Sequence, residues 1–351
     1  MTAAAFLRHL GFALGLILLS AGIVRLMITV RVMDTPEARK AHTRPTPKGG
    51  GVGIVLTFLV GIAVLYRYAA FARLADPYFL GVIEASVAIA VVAFLDDLFD
   101  WPFTVKLAAQ LLATLVAVAS GLYVLSINLP YRGGIPLGWI GVTMTVVWIL
   151  FATNAMNFID GLNGLASGTS LIACLFLVFI AQQQGAWFAY AAAGLLACGL
   201  LGFLPFNFPR ARIFMGDVGS QFCGFMLAVL AVVASRFDGI ELSFLLVPML
   251  LAGVLFDVAF TLVRRALDGE RLTQPHRGHL YQVAHRSGMS ATAVTLTHWG
   301  FASWGGLCCL AFIAVEPALK PIVPLLAGAP QLAWLAYVVR RARTAGLHRW
   351  G

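Results

Sequence analysis

Eleven charge-poor apolar stretches run through this chain, at roughly 8–30, 51–70, 78–95, 105–125, 139–156, 166–183, 186–204, 219–235, 241–264, 291–314 and 321–340. A helix needs about 20 such residues to cross a bilayer core, and inside the bilayer only a helix or a closed barrel satisfies its own backbone. The expected fold is therefore all-α, a polytopic membrane helix bundle of about 11 transmembrane helices forming a single integral membrane domain over residues 1–351. Only 11% of the residues are charged, against about a quarter in soluble domains, which excludes an ordinary soluble enzyme. The first stretch is long, carries Arg25 near its end and precedes no small-x-small cleavage site, so it reads as a span and not a signal peptide. Cys174, Cys198, Cys223, Cys308 and Cys309 all fall inside apolar stretches without metal-ligand spacing and read as small core residues.

Eleven spans place the termini on opposite sides. With the N-terminus outside and the C-terminus cytoplasmic, the polar segments at about 31–50, 96–104, 157–165, 205–218 and 265–290 become cytoplasmic loops. Seventeen of the 24 Lys and Arg residues then fall inside, which favours this orientation. The net charge of +9 is accordingly a topology signal with some attraction to anionic membrane lipids. Its spread over several loops speaks against nucleic acid as a partner. Outside, the segment 128–136 reads as a short turn or hairpin.

Every aspartate-bearing motif lands on the basic side. Asp96 and Asp97 are adjacent carboxylates that repel unless a cation or lysine neutralises them, and Mg²⁺ suits such oxygen donors. Lys106 is placed to meet a lipid phosphate, while Asp100 suits capping the next helix. Asn154, Asn157 and Asp160 recur every three residues, one polar face ending at Gly161 and Gly164. Asp217 opens a span where free N–H groups attract anions, with Asn207, Arg210 and Arg212 close by in sequence. Asp257 lies inside the ninth span, where Arg264, seven residues on, offers a partner on the same face. His276, Arg277 and His279 suit a pyrophosphate. Lys48 stands beside the glycine run 49–51, a flexible stretch open to phosphate approach.

Taken together and in this order, Asp96-Asp97, Asn154-x-x-Asn157-x-x-Asp160-Gly161, the Gly216–Ser220 segment and the His279 loop resemble the polyprenyl-phosphate N-acetylhexosamine-1-phosphate transferase family, of glycosyltransferase family 4 type. Relatives of the phospho-N-acetylmuramoyl-pentapeptide translocase belong to it. The resemblance implies transfer of a sugar-1-phosphate from a UDP-N-acetylhexosamine to undecaprenyl phosphate, with UMP leaving, at the cytoplasmic face of a bacterial inner membrane. It implies Mg²⁺, with Mn²⁺ as an alternative, held by Asp217, Asp96 and Asn157. Asp96, Asp97 and Asp160 would be catalytic, with Asp97 the favoured base. Lys48, Lys106, Asn154, Asn157, His276, Arg277 and His279 would bind substrate.

The chain departs from the family pattern in two places. Asn163 stands where a second aspartate often follows Asp160, and the usual His-x-His-His cluster is reduced, so that only His279 carries over. A one-step and a covalent two-step route both fit the residues, and a homodimer is one assembly open to such a bundle. The rival reading is a multi-pass transporter or flippase, whose ionisable groups should gather near the midplane.

Overall fold

The computed structural model describes residues 3–34, 45–68, 77–129, 133–235, 243–274, 276–347 and 350. The basic loop residues Arg39, Lys40 and Arg44, and likewise Arg73, Arg132, Arg236 and Arg349, lie outside the described residues. Helix α1 (Ala3–Val30) leads into α2 (Gly51–Tyr68), α3 (Pro77–Phe99), α4 (Phe103–Ala119), α5 (Trp139–Ile159), α6 (Leu165–Gln184), α7 (Trp187–Asn207) and α8 (Gly216–Ala234). After these come the short α9 (Leu246–Leu250), α10 (Ala252–Leu267), the short α11 (Leu280–Arg286), α12 (Ala291–Ala314) and α13 (Ile322–Thr344). Among the described residues, nine of these helices are long and apolar enough to cross a membrane, and α4 is a shorter apolar helix. The expected helical bundle is what forms.

Two details differ from the sequence reading. The stretch expected as a ninth span is broken at Leu251 into α9 and α10. Here α12 packs directly on the α9 carbonyls: the Cys309 thiol donates to Leu246 O at 3.3 Å, and Gly305 lies against Met249 O, where any Cβ would collide. Asp100 does not cap α4. It takes a left-handed φ of 51° as α3 ends, and the α4 N-cap is Pro102 without a side-chain cap bond. The hairpin expectation holds, since β3 (Ser126–Leu129) pairs antiparallel with β4 (Gly133–Pro136), Ser126 opposite Pro136. A two-residue pairing of β1 (Met33–Asp34) with β2 (Thr46–Pro47) brings the ends of the first polar loop together.

Helix α8 is the centre of the bundle. From Val218 to Ala234 all of it is buried, and it touches α2, α3, α5, α6, α7 and α9. By contrast α1 and α13 expose large apolar side chains such as Leu14, Leu18, Leu325 and Leu332, as lipid-facing helices do. Small residues set the closest approach. A Cβ on Gly51 would collide with the Gly219 backbone, so α2 and α8 cross at van der Waals distance through this glycine pair. The crossing pins the segment before α2, and Lys48 with it, over the start of α8.

Candidate active site

The chain alternates direction through the bundle, so the C-terminal ends of α3 and α5 meet the N-terminal ends of α4 and α8. This junction gathers Asp96 and Asp97 from α3, Lys106 from α4, Asn157 and Asp160 from α5, and Asp217 from α8. Lys106 Nζ bridges two carboxylates, 2.5 Å from Asp96 Oδ2 and 3.0 Å from Asp217 Oδ2. Asp96 Oδ1 accepts from the Trp101 N–H at 2.8 Å, closing the turn between α3 and α4. Lys106 is thus the ion-pair partner of Asp96 and Asp217.

Asp97 pairs with Lys48 instead, at 3.5 Å. Its Oδ2 accepts from the Val218 N–H at 3.1 Å, so α3 caps the start of α8 from outside. This approach depends on Gly216, which has φ 76° and on which a Cβ would sit 2.5 Å from Asp97 Oδ2. A side chain there would be strained and would push the carboxylate away. The glycine run after Lys48 is less open than the sequence suggested. The N–H groups of Gly50 and Gly51 donate to Phe214 O and Met215 O at 2.9 and 2.8 Å, so they serve packing and not a phosphate.

Asp217 accepts at both oxygens. Oδ1 takes Asn157 Nδ2 at 3.1 Å, and Oδ2 takes Lys106 and also Gln221 Nε2 at 3.2 Å. Asn157 Nδ2 further donates to Ser220 Oγ at 2.9 Å. The sequence reading missed a buried chain of amides behind Asp217. Asn154 Nδ2 donates to Gln110 Oε1 at 2.6 Å, Gln110 Nε2 donates to Gln221 Oε1 at 2.9 Å, and Gln221 reaches Asp217. Donors aligned head to tail polarise one another toward the carboxylate. Gln110 lies four residues after Lys106, and Gln221 four after Asp217; amides on the functional face of apolar helices were the available signal. Asn154 is accordingly one turn deeper than Asn157, with its amide shared between Gln110 and Leu150 O.

Asp160 ends α5 as its C-cap residue. Among the described residues its carboxylate has no hydrogen-bonding or ion-pair partner. Burial, with Asp217 and Asp97 nearby, pushes it well above the ordinary carboxylate range. The loop it opens is clamped: Asn207 Oδ1 accepts from Gly164 N–H at 2.7 Å, Asn207 Nδ2 donates to Ile213 O at 3.0 Å, and Trp299 Nε1 donates to Gly164 O at 2.9 Å. Asn207 is therefore a buried brace. Arg210 and Arg212 are exposed, Arg212 stacking over Phe206.

The basic loop 268–279 approaches the same end from α10. Arg265 organises it, donating to Glu270 Oε2 at 2.7 Å and Arg271 O at 2.8 Å. Arg277 contributes its carbonyl to Arg286 at 3.0 Å. His276 stacks beside His279, ring centroids 4.8 Å apart, and its Nδ1 accepts from Gly278 N–H at 3.1 Å. Burial first, and then the neighbouring His279, Arg265 and Arg264, push His276 down from 6.5 to about 4. The unfolded chain thus takes up this proton near pH 6.5 and the folded chain only near 4, so stability from this group is complete above 6.5 and is lost as pH falls. Between those limits the melting temperature of His276→Gln is expected to fall less than that of the parent; parallel curves would contradict a buried neutral imidazole. Asp257 does not pair with Arg264 as expected from spacing. It meets His279 and the start of α11, while Arg264 faces Asp268 at 3.6 Å and the Trp350 ring.

The junction as a whole gathers four carboxyl groups around two ammonium groups, so that it is rich in oxygen donors. Such a place suits a divalent cation and phosphate chemistry. Residues 79–235, which carry every carboxylate of the junction, match the family model described as glycosyl transferase family 4. The chain is 30% identical over 270 residues to a probable undecaprenyl-phosphate N-acetylglucosaminyl 1-phosphate transferase of Bacillus subtilis, covering 76% of this chain and 74% of that one. It is 31% identical to a decaprenyl-phosphate N-acetylglucosaminephosphotransferase of Mycobacterium tuberculosis, over 79% of this chain and 75% of the relative. A phospho-N-acetylmuramoyl-pentapeptide-transferase of Acetivibrio thermocellus is 29% identical over 89% of this chain and 95% of its own. With coverage this broad and the junction inside the matched region, the chain belongs to glycosyl transferase family 4.

Proposed function

We infer that this protein transfers the sugar-1-phosphate of a UDP-N-acetylhexosamine to undecaprenyl phosphate and releases UMP. This is the first membrane step of a cell-surface glycan such as O-antigen or another cell-wall polysaccharide. The observation that carries the reading is the junction itself, four carboxylates and two lysines at one end of a helix bundle, where a headgroup phosphate and a water-soluble nucleotide can both arrive. Two of the relatives named above are, by name, transferases of N-acetylglucosamine phosphate that act on prenyl phosphates. The Lys and Arg distribution supports a cytoplasmic position for this end in a bacterial inner membrane, with the C-terminus on the same side. A transporter would gather its ionisable groups at the midplane; here the carboxylates and lysines of the junction sit at helix ends.

In the transfer, an oxygen of the lipid phosphate attacks the β-phosphorus of the donor. The bond from that phosphorus to the bridging oxygen breaks, and UMP departs with the oxygen. A phosphate monoester has its second pKa near about 6, so the attacking group is largely dianionic at neutral pH without help from a base. Lys48 and Lys106 supply fixed positive charge beside the phosphates. Asp97 positions Lys48, Asp96 positions Lys106, and Asp160 lies on the nucleotide side. His276, Arg277 and His279 face the diphosphate. Mg²⁺, with Mn²⁺ as an alternative, fits the oxygen donors; Asp217, Asp96 and Asn157 would hold it. Among the described residues no three His, Cys, Asp or Glu side chains are grouped to hold a metal, so water and substrate phosphates would have to complete the ligand set. When bound it stabilises charge on the transferring and leaving phosphates.

The test is purified protein with undecaprenyl phosphate, Mg²⁺ and a panel of UDP-N-acetylhexosamines, following UMP and labelled lipid. Lipid-dependent UMP release with at least one donor, stopped by EDTA and restored by Mg²⁺, is expected. No lipid-dependent UMP with any donor refutes the reading, and activity unaffected by EDTA refutes the metal.

A further inference from the structure

Asp257 lies within α10 and is 1% exposed. Apart from a long bond from Thr261 on its own helix, its hydrogen bonds among the described residues go to the entry of α11. Oδ1 accepts from the Leu280 N–H at 2.9 Å and Oδ2 from the Tyr281 N–H at 2.9 Å. These two bonds cap α11 from another helix. The third contact is of a different kind: His279 Nδ1 stands 3.2 Å from Oδ1. An ionised carboxylate only accepts, so the proton between them belongs to Nδ1, and Nε2 is left on the opposite edge of the ring. The ring lies 5.9 Å from that of Phe158, the residue after Asn157, and so reaches the end of α5 where Asp160 sits.

We propose that Asp257 is a positioning residue for His279: it fixes the proton on Nδ1 and presents Nε2 to the phosphates of the nucleotide sugar. The identity of that ligand rests on the transfer reading above; the orientation of the ring does not. Positively charged, the ring forms a neutral pair with the buried carboxylate and donates from Nε2 to a phosphate oxygen. Asp257, His276 and Tyr281 are the titratable groups around it. The same carboxylate docks the helix and sets the ring, so the donor-binding loop and its histidine move as one piece.

Two experiments decide this. A double-mutant cycle separates orientation from docking: Asp257→Asn is expected to lower kcat/KM for the UDP-sugar by about 10–100-fold, mainly through KM, as loss of a histidine-orienting partner does elsewhere. In a His279→Ala background the same substitution is expected to cost under about twofold. Equal penalties in both backgrounds would make Asp257 a helix cap alone and overturn the proposal. The second experiment needs neither turnover nor the Asp257 variant to fold. Histidine ¹⁵N spectra of the wild-type protein, assigned against His279→Ala, are expected to show neutral His279 protonated on Nδ1; a proton on Nε2 overturns the proposal. A wild type with the Nδ1 proton but without lipid-dependent UMP release would refute the transfer reading and leave the Asp257–His279 orientation standing.

Discussion

Asp217→Asn is expected to reduce turnover by at least about 10³-fold while leaving the melting temperature nearly unchanged. The two halves of this expectation come from the same set of bonds. Asp217 accepts from Lys106 and Gln221 at one oxygen and from Asn157 at the other. An asparagine can keep its oxygen toward Lys106 and Gln221 and turn its NH₂ toward Asn157. The Asn157 amide then rotates to present its own oxygen, since an amide offers a donor and an acceptor on opposite arms. Lys106 keeps Asp96 as an ionic partner. Packing survives, only the Asn157–Ser220 bond is given up as the amide turns, and what disappears besides is one negative charge at the head of α8. Steady-state UMP release alongside thermal melts in detergent checks this. A turnover within tenfold of the parent would remove Asp217 from the chemistry, and a collapsed melt would make its role structural.

Lys106→Met is expected to do the reverse damage, lowering both stability and turnover. Among the described residues its ammonium is the one basic group paired with both Asp96 and Asp217, and Asp96 is 4% exposed in its side chain. Methionine fills a similar volume, so no large cavity forms, but two carboxylates then face each other without compensation. Removing one partner from a buried ion pair typically costs about 3–5 kcal/mol, because a charge is left stranded. The loss is expected to be smaller at low pH, where either carboxylate can take up a proton, and smaller with millimolar Mg²⁺. A melt within about 1 °C of the parent in EDTA would mean that Lys106 is not what balances these carboxylates.

The membrane bundle and the identity of the aspartates were legible because each signal is local. Apolar runs announce spans, and carboxylates at the ends of such runs are costly enough to stand out. Pairing is another matter, since it depends on which helices end up adjacent. Spacing put Arg264 beside Asp257, whereas the bundle put His279 there and brought Lys48 to Asp97. Gln110 and Gln221 carried only a faint signal, as neutral amides differ little from their neighbours until another amide is seen across the helix interface. The break at Leu251 had one local signal, Pro248 three residues before it, whereas the α12 residues packed on α9 there, Gly305 and Cys309, come from more than fifty residues away.

The burial of α8 on every side has a consequence for how this enzyme can change. Asp217 rides on the most buried helix, and the groups around it come from helices packed on that one, from α4, whose Lys106 and Gln110 reach it by side chain, or from the segment crossing over it. The loop 268–279, by contrast, hangs from Asp257 and Arg265 at the edge of the bundle. On the reading proposed here, the machinery for breaking the phosphoanhydride is inherited as a unit, whereas donor choice is held by a separate arm that can be rebuilt. Selection for a new sugar would then be recorded in the loop and leave the head of α8 untouched.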